Sequence, residues 1–194
     1  MQVLQSKTDQ QLITAFQNGQ IAALETLITR YKDKIYNSIY FLVKDKYLTE
    51  DIFQDAFIKV IDTLQNGKYN DEGKFLPWVL RISHNLCVDH FRKIKRTPYI
   101  TMPDGKDIFD VLDFNQPSAE NTIIKQQQHN SLHVYLAKLP SDQREVIILR
   151  HFGDLSFKQI ADIMGCSINT ALGRMRYGLI NLRKLMVPQQ IAVA

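Results

Sequence analysis

Residues 139–186 read LPSDQREVIILRHFGDLSFKQIADIMGCSINTALGRMRYGLINLRKLM, and their polar punctuation decides the fold. Ser141 is placed to cap a helix that stops at Gly153. Ser156, followed three residues later by Gln159, makes a capping box for a short helix through Met164. In such a box the hydroxyl takes one orphan backbone N–H while the amide reaches back to the other. Gly165 supplies the turn, and Ser167 caps a last helix that runs toward Pro188. A short helix, a glycine turn and a longer basic helix form a helix-turn-helix. On the last helix the 3.6-residue period turns Ile168, Ala171, Leu172, Met175, Leu179, Leu182 and Met186 inward, with Leu172 near the core edge. Asn169, Thr170, Gly173, Arg174, Arg176, Tyr177, Asn181 and Lys184 turn outward. From Gly165 to Met186 the basic residues are Arg174, Arg176, Arg183 and Lys184, and no acid accompanies them, which suits phosphates and groove edges.

Upstream, residues 75–96 read FLPWVLRISHNLCVDHFRKIKR and hold the only Trp of the chain. Pro77 suits a first helical turn. Val79, Leu80, Ile82, Leu86, Cys87, Phe91 and Ile94 share one sector, which is core, while Arg81, His84, Asn85, Arg92, Lys95 and Arg96 share the other, with Trp78 at its edge. An aromatic beside cations fits something flat and negatively charged, such as unstacked bases on a phosphate backbone. Between the two segments the periodicity stops at RTPYITMPDGKDIFDVLDFNQPSAEN, where Asp104, Asp107, Asp110, Asp113 and Glu120 outnumber Lys106. That stretch reads as an acidic, proline-containing linker. An irregularly patterned helix is expected around residues 120–137.

The remaining segments are also helical. Asp9 is placed to cap a short helix ending at Gly19. A second helix puts Leu24, Leu27, Ile28, Tyr31, Ile35, Ile39 and Leu42 inward. Thr49 is placed to cap a third, with Ile52, Phe53, Ala56, Phe57, Val60, Ile61 and Leu64 inward and Ile58 turned out among Asp51, Asp55 and Asp62. No alternating strand or hairpin signal occurs. The fold class is therefore all-α: two small helical domains joined by a flexible acidic linker, the C-terminal one a helix-turn-helix.

Composition bounds the function. The chain has 194 residues and a formal charge of +4, but residues 81–98 carry five Lys or Arg against Asp89 alone, so local charge outweighs the total. No apolar run reaches the ~18 residues of a membrane span and no signal-peptide pattern is present, so a cytoplasmic location with no membrane insertion is expected. Cys87 and Cys166 read as small core residues. His129 and His133 stand four apart with no third ligand evident, so neither metal nor other cofactor is expected. A nucleic-acid enzyme is disfavoured because the sequence lacks both a phosphate-binding G-x-x-x-x-G-K-S/T loop and a zinc-deaminase signature. A stand-alone helix-turn-helix regulator would account for residues 141–186 but leaves the Trp78 face and the first three helices without work.

Three stretches in order, LTEDIFQDAFIKVI, FLPWVLRISHNLCVDHFRK and LPSDQREVIILRHFGDLSFKQIADIMGCSINTALGRMR, resemble the bacterial sigma factors of the extracytoplasmic-function group, within the sigma-70 superfamily. The first resembles that family's core-polymerase-binding segment, the second its promoter-melting segment and the third its region 4. The resemblance implies region 2 over residues 1–97, a linker over 98–119 and region 4 over 120–194. It implies a transcription initiation factor rather than an enzyme, reading the −35 element as duplex and capturing the melted −10 element. The implied partners are core RNA polymerase, through the β′ clamp helices and the β flap, promoter DNA and an anti-sigma factor.

Residue by residue, Asp51, Gln54, Asp55 and Ile58 are the expected polymerase contacts. Tyr69, in the loop at residues 65–75, and Trp78, Arg81, Asn85, Arg92, Lys95 and Arg96 are the expected −10 contacts. Asn169, Thr170, Gly173, Arg174, Arg176 and Tyr177 are the expected −35 contacts. Gly173 costs about 1 kcal/mol relative to Ala in a helix interior, which suggests that DNA approaches closely there. Leu172 stands where many relatives carry a basic residue, so the −35 sequence read is expected to differ from the family's usual one.

Overall fold

A computed structural model describes residues 2–70, 73–96, 132 and 134–186. Among them every regular element is helical: α1 (Gln2–Gln5), α2 (Asp9–Gln17), α3 (Ile21–Val43), α4 (Lys46–Gln65), α5 (Phe75–Arg96), α6 (Ser141–His151), α7 (Phe157–Met164) and α8 (Ile168–Met186). The acidic linker, His129 and His133 lie outside the described residues. Of the helix expected around 120–137, residues 132 and 134–137 are described and helical.

Three caps fall upstream of the expected residue, by one, four and one positions. Thr8 caps α2 in a capping box with Gln11, leaving Asp9 in the first turn, where its carboxylate takes the Arg30 guanidinium at 2.5 Å and the Tyr31 hydroxyl at 2.6 Å. Asp45 caps α4 through Leu48 N–H, and Thr49 is instead fully buried with its hydroxyl donating to the Asp45 carbonyl. At α4 the stronger acceptor, Asp, takes the cap; at α2 the Thr8–Gln11 capping box leaves Asp9 free to hold Arg30 and Tyr31. Likewise Pro140 precedes α6 as its cap, and Ser141 is its first residue; α6 ends at His151, short of Gly153.

In the first half α3 packs on α2, α4 and α5 around Leu12, Leu27, Ile35, Ile39, Val60, Leu64, Phe75 and Val79, all nearly inaccessible. In the second half α8 packs on α6 and α7 around Val146, Ile148, Ile160 and Ala171. The helix-turn-helix is assembled as its punctuation indicates. The Ser156–Gln159 capping box is complete, Gly165 is left-handed at φ 62, and the Ser167 hydroxyl accepts Thr170 N–H at 3.0 Å.

The two halves also meet. Phe41 of α3 stacks on Phe152 with ring centroids 3.9 Å apart. Gly153 lies so close to Leu80 that a Cβ there would stand 3.0 Å from the Leu80 Cδ1 and 2.7 Å from the Leu149 carbonyl oxygen. His84 Nε2 lies 3.2 Å from Glu145 Oε2, and Lys34 Nζ lies 3.4 Å from Asp154 Oδ2. His84, expected on the outward face of α5, is therefore buried, because α6 covers it. Phe91 and Ile94, expected inward, are 40% and 41% exposed, since no described element reaches that end of α5.

Candidate nucleic-acid interface

The head of α5 carries the first candidate surface. Trp78 is half-buried on the first turn, and Tyr69 from the preceding loop meets it with ring centroids 4.3 Å apart at 42°. Phe75, buried beneath, lies 5.9 Å from the Trp78 ring and 6.3 Å edge-on from Tyr69. The three rings form one cluster, so Tyr69 packs against the helix and is only partly accessible. Beyond it, Arg81, Asn85 and Arg92 are exposed. Lys95 and Arg96 lie in the last turn of α5, and their side chains are outside the described residues. Arg92 lies 3.4 Å from Asp89, an exposed pair that contributes little.

A cleft of about 360 Å³ opens at this cluster. One wall is Lys68, Tyr69, Asn70, Lys74, Pro77, Trp78 and Arg81; the other is Gln159, Asp162 and Ile163 of α7. A second cleft, of about 600 Å³, lies farther along α5 between His84, Asn85, Asp89 and Arg92 on one side and Asp142, Glu145, Gly165 and Arg174 on the other.

The second candidate surface is the outer face of α8. Asn169, Thr170, Arg176 and Tyr177 are exposed, Tyr177 at 60%, and a Cβ added at Gly173 would meet nothing within 4 Å. That open space allows close approach from outside. Arg174 differs: its guanidinium is held 2.6 Å from Asp142 of α6. Asn181, expected outward, donates to Gln143 of α6 at 2.9 Å and is partly buried. The inward assignments were too generous, for Ile168, Leu172, Leu179 and Met186 are all exposed. Only one stripe of α8 rests on α6 and α7, and it runs through Ala171, Gly178 and Leu182. Gly178 is the residue the periodicity missed: it is packed against Ile147 and Gln143, where a Cβ would sit 3.0 Å from the Ile147 Cδ1.

The third surface is α4. Asp51, Gln54 and Asp55 are exposed and Ile58 is 63% exposed, an apolar residue set among acids. Tyr36 and Phe53 pack beside it with ring centroids 6.1 Å apart.

Four groups titrate away from their ordinary values, among them Tyr36, which burial and then the charge of Glu50 raise. Burial pushes the Cys87 thiol up to about 12 and keeps it protonated, as expected of a core residue. Burial, with the hydrogen bond to Asp9 added, pushes the Tyr31 hydroxyl up to about 12. Burial and then the charge of Arg144 lower the Lys44 ammonium. Among the described residues no group of three or more His, Cys, Asp or Glu is placed to hold a metal ion. None of the described helices is long and apolar enough to cross a membrane.

Comparison with known proteins places the chain in a family. The model for Sigma-70 region 2 matches residues 27–97, and that for Sigma-70, region 4 matches residues 129–172. RNA polymerase sigma-H factor of Pseudomonas aeruginosa is 29% identical over 181 residues, covering 89% of this chain and 91% of that protein. ECF RNA polymerase sigma factor SigW of Bacillus subtilis is 28% identical over 176 residues, covering 89% and 93%. Among solved structures the fold resembles CnrH in complex with the cytosolic domain of CnrY, with a TM-score of 0.68 at 20% identity over 92% of this chain and 97% of that one. It also resembles the sigma factor RpoE bound to the anti-sigma factor NepR from Bartonella quintana, with a TM-score of 0.67 at 20% identity over 84% and 95%. With both regions matched in the expected order around an all-helical fold, the chain belongs to the extracytoplasmic-function sigma factors of the sigma-70 superfamily.

Proposed function

We propose that this sigma factor binds core RNA polymerase through α4, reads a −35 element as duplex with α8, and captures a melted −10 strand on the head of α5. Residues 1–97 act as the region 2 unit and 120–194 as the region 4 unit. The protein works by binding, and the polymerase supplies the catalysis. Its place of action is where the polymerase is, in the cytoplasm.

The observation that carries the reading is the ring pair of Tyr69 and Trp78 at the head of a helix whose next exposed residues are Arg81 and Asn85. Stacking on an aromatic is worth roughly 1–3 kcal/mol per base, and extracting a base costs a few kcal/mol. Capture of one or two bases by these rings is therefore close to balanced, and opening a whole bubble exceeds what they return. This is why the chain needs polymerase to hold the rest. Asn85 offers an amide to a base or sugar edge, while Arg81, Arg92, Lys95 and Arg96 offer charge to phosphates. On α8, Asn169, Thr170, Arg174, Arg176 and Tyr177 face the duplex, with Gly173 leaving room for its approach.

On α4, Asp51, Gln54, Asp55 and the exposed Ile58 form an acidic patch with an apolar centre, which fits the basic β′ clamp helices, and region 4 fits the β flap. An anti-sigma factor is a further partner. In vitro transcription with purified core polymerase and a genomic promoter library tests the whole reading. Specific transcripts should require both this chain and core polymerase, and should share two spaced motifs upstream of their starts. Tight operator binding by the free chain, with no effect on transcript choice, would instead make it a stand-alone regulator.

A further inference from the structure

We infer that the cleft between α5 and α7 is a binding site for a free guanine mononucleotide, its base held by α7 against the Tyr69–Trp78 rings and its phosphates by the cations beside them. The inference does not depend on the strand-capture reading. It uses the same rings but takes its specificity from α7, which has no part in strand capture.

One wall supplies stacking and charge. The cleft volume, about 360 Å³, falls in the range of small-molecule sites, roughly 300–1,000 Å³. The ring pair, with centroids 4.3 Å apart, gives a flat surface on which a base can stack. Lys68, Lys74 and Arg81 line the same wall and are exposed, so three cations border the space beside the rings. Phosphate oxygens are their natural partners.

The opposite wall chooses the base. Gln159 and Asp162 stand three residues apart on α7, hence on one face, and both line the cleft. Ionised Asp162 offers two acceptor oxygens and no donor. The side-chain oxygen of Gln159 is taken by the Ser156 N–H at 2.8 Å and the Ser156 hydroxyl at 2.9 Å, so what Gln159 has left to give is its amide N–H groups. Guanine is the base whose pairing edge carries two adjacent donors, N1–H and the 2-amino group, followed by an acceptor, O6. The two donors suit both oxygens of Asp162, and O6 suits the Gln159 amide. Adenine has a single amino donor on that edge and satisfies one carboxylate oxygen at most.

The full-length free protein tests this with GDP, ADP, guanosine and pyrophosphate as probes. Each is followed by quenching of the sole tryptophan, which lies in the cleft, with calorimetry fixing the stoichiometry. GDP should bind one to one, at least tenfold more tightly than ADP or pyrophosphate. Asp162→Asn changes an exposed side chain and leaves the cores intact; it should lower GDP affinity about tenfold and leave ADP unchanged. Lys74→Ala should weaken GDP and not guanosine. Because bound GDP joins α5 to α7, it should also raise the melting temperature, and Asp162→Asn should reduce that rise. Equal binding of GDP and ADP, or a guanine preference that survives Asp162→Asn, overturns the inference. So does pyrophosphate that matches GDP, which would make the cleft a plain anion site, and so does the absence of both quenching and heat with GDP at millimolar concentration. A short single strand with one guanine that binds as tightly as GDP would give the cleft to strand capture and overturn the mononucleotide.

Discussion

Tyr69 reaches back from its loop to lie against Trp78, ring centroids 4.3 Å apart, with Phe75 supporting both from below. A base entering this cluster must therefore slide onto or between rings that already touch. Tyr69→Ala in holoenzyme should impair opening of a duplex promoter, and pre-melting the −10 element should partly relieve the defect. Tyr69→Phe should retain most of the function, because the stacking surface survives. Permanganate footprinting and runoff transcription on the two templates make the comparison. Normal opening by a folded Tyr69→Ala protein would reduce the residue to a packing role.

The acidic patch on α4 gives a charge-reversal test. Asp51→Arg with Asp55→Arg leaves the buried side of α4 unchanged, so the melting temperature should stay near wild type. Binding to core polymerase should fall by an order of magnitude or more, since like charges across an interface cost several kcal/mol. Ile58→Ala should weaken the same complex with little change in its salt dependence. Native gel shift of labelled core polymerase at two salt concentrations distinguishes the three proteins. Unchanged binding by the double variant would move the interface elsewhere.

On α8 the exposed Arg176 and the tethered Arg174 should behave differently. Arg176→Ala should weaken promoter binding by holoenzyme by about 1–3 kcal/mol if the guanidinium reads a base, and equally on all sequences if it touches phosphate only. Asp142→Ala releases the 2.6 Å pair that holds Arg174. If Arg174 serves DNA, that change should leave promoter affinity equal to or above wild type, whereas Arg174→Ala should lower it. Competition binding across a small panel of −35 variants reads all three.

The buried thiol of Cys87 makes an alkaline prediction. Its folded-state pKa, about 12, lies above the ordinary 9.0, so the folded chain holds this proton more tightly than the unfolded one. The resulting stability is present in full below pH 9 and is lost progressively as the pH rises from 9 toward 12. Cys87→Ala should flatten that part of the alkaline decline, at the cost of a small cavity. Urea midpoints at several pH values above 9 provide the measurement. At neutral pH, Cys87 should resist thiol reagents in the folded protein, while the partly exposed Cys166 should react.

What the sequence made legible was local. The Ser156–Gln159 box, the left-handed Gly165 and the Ser167 cap are set by residues within four positions of one another, so spacing alone finds them. The same holds for the exposed Ile58, set on the wheel between Asp51, Asp55 and Asp62. Where two competent caps stood close together, as with Thr8 and Asp9 or Asp45 and Thr49, spacing could not rank them. The residues misplaced altogether are those whose surroundings come from far along the chain. His84 looks outward on its own helix and is covered by α6; Phe41 lies off the inward stripe of α3 and is covered by Phe152. The converse error fell on Leu179 and Met186, which satisfy the helical period but find no described partner on the side they face.

The Phe41–Phe152 stack also sets an order of events during synthesis. The helices of Phe41's own half, α2 to α5, are complete by Arg96, so that half can fold while the remainder is still being made. At about 5–20 residues per second, Phe152 follows Phe41 by roughly 5 to 20 s. From completion of α5 until Phe152 is added, Phe41 and Leu80, nearly inaccessible in the finished chain, stand uncovered on the surface of the nascent protein. The aromatic contact that closes the mature molecule is thus also its hazard on the ribosome: any pause between the two halves prolongs the time in which two unfinished chains can adhere through the same patch.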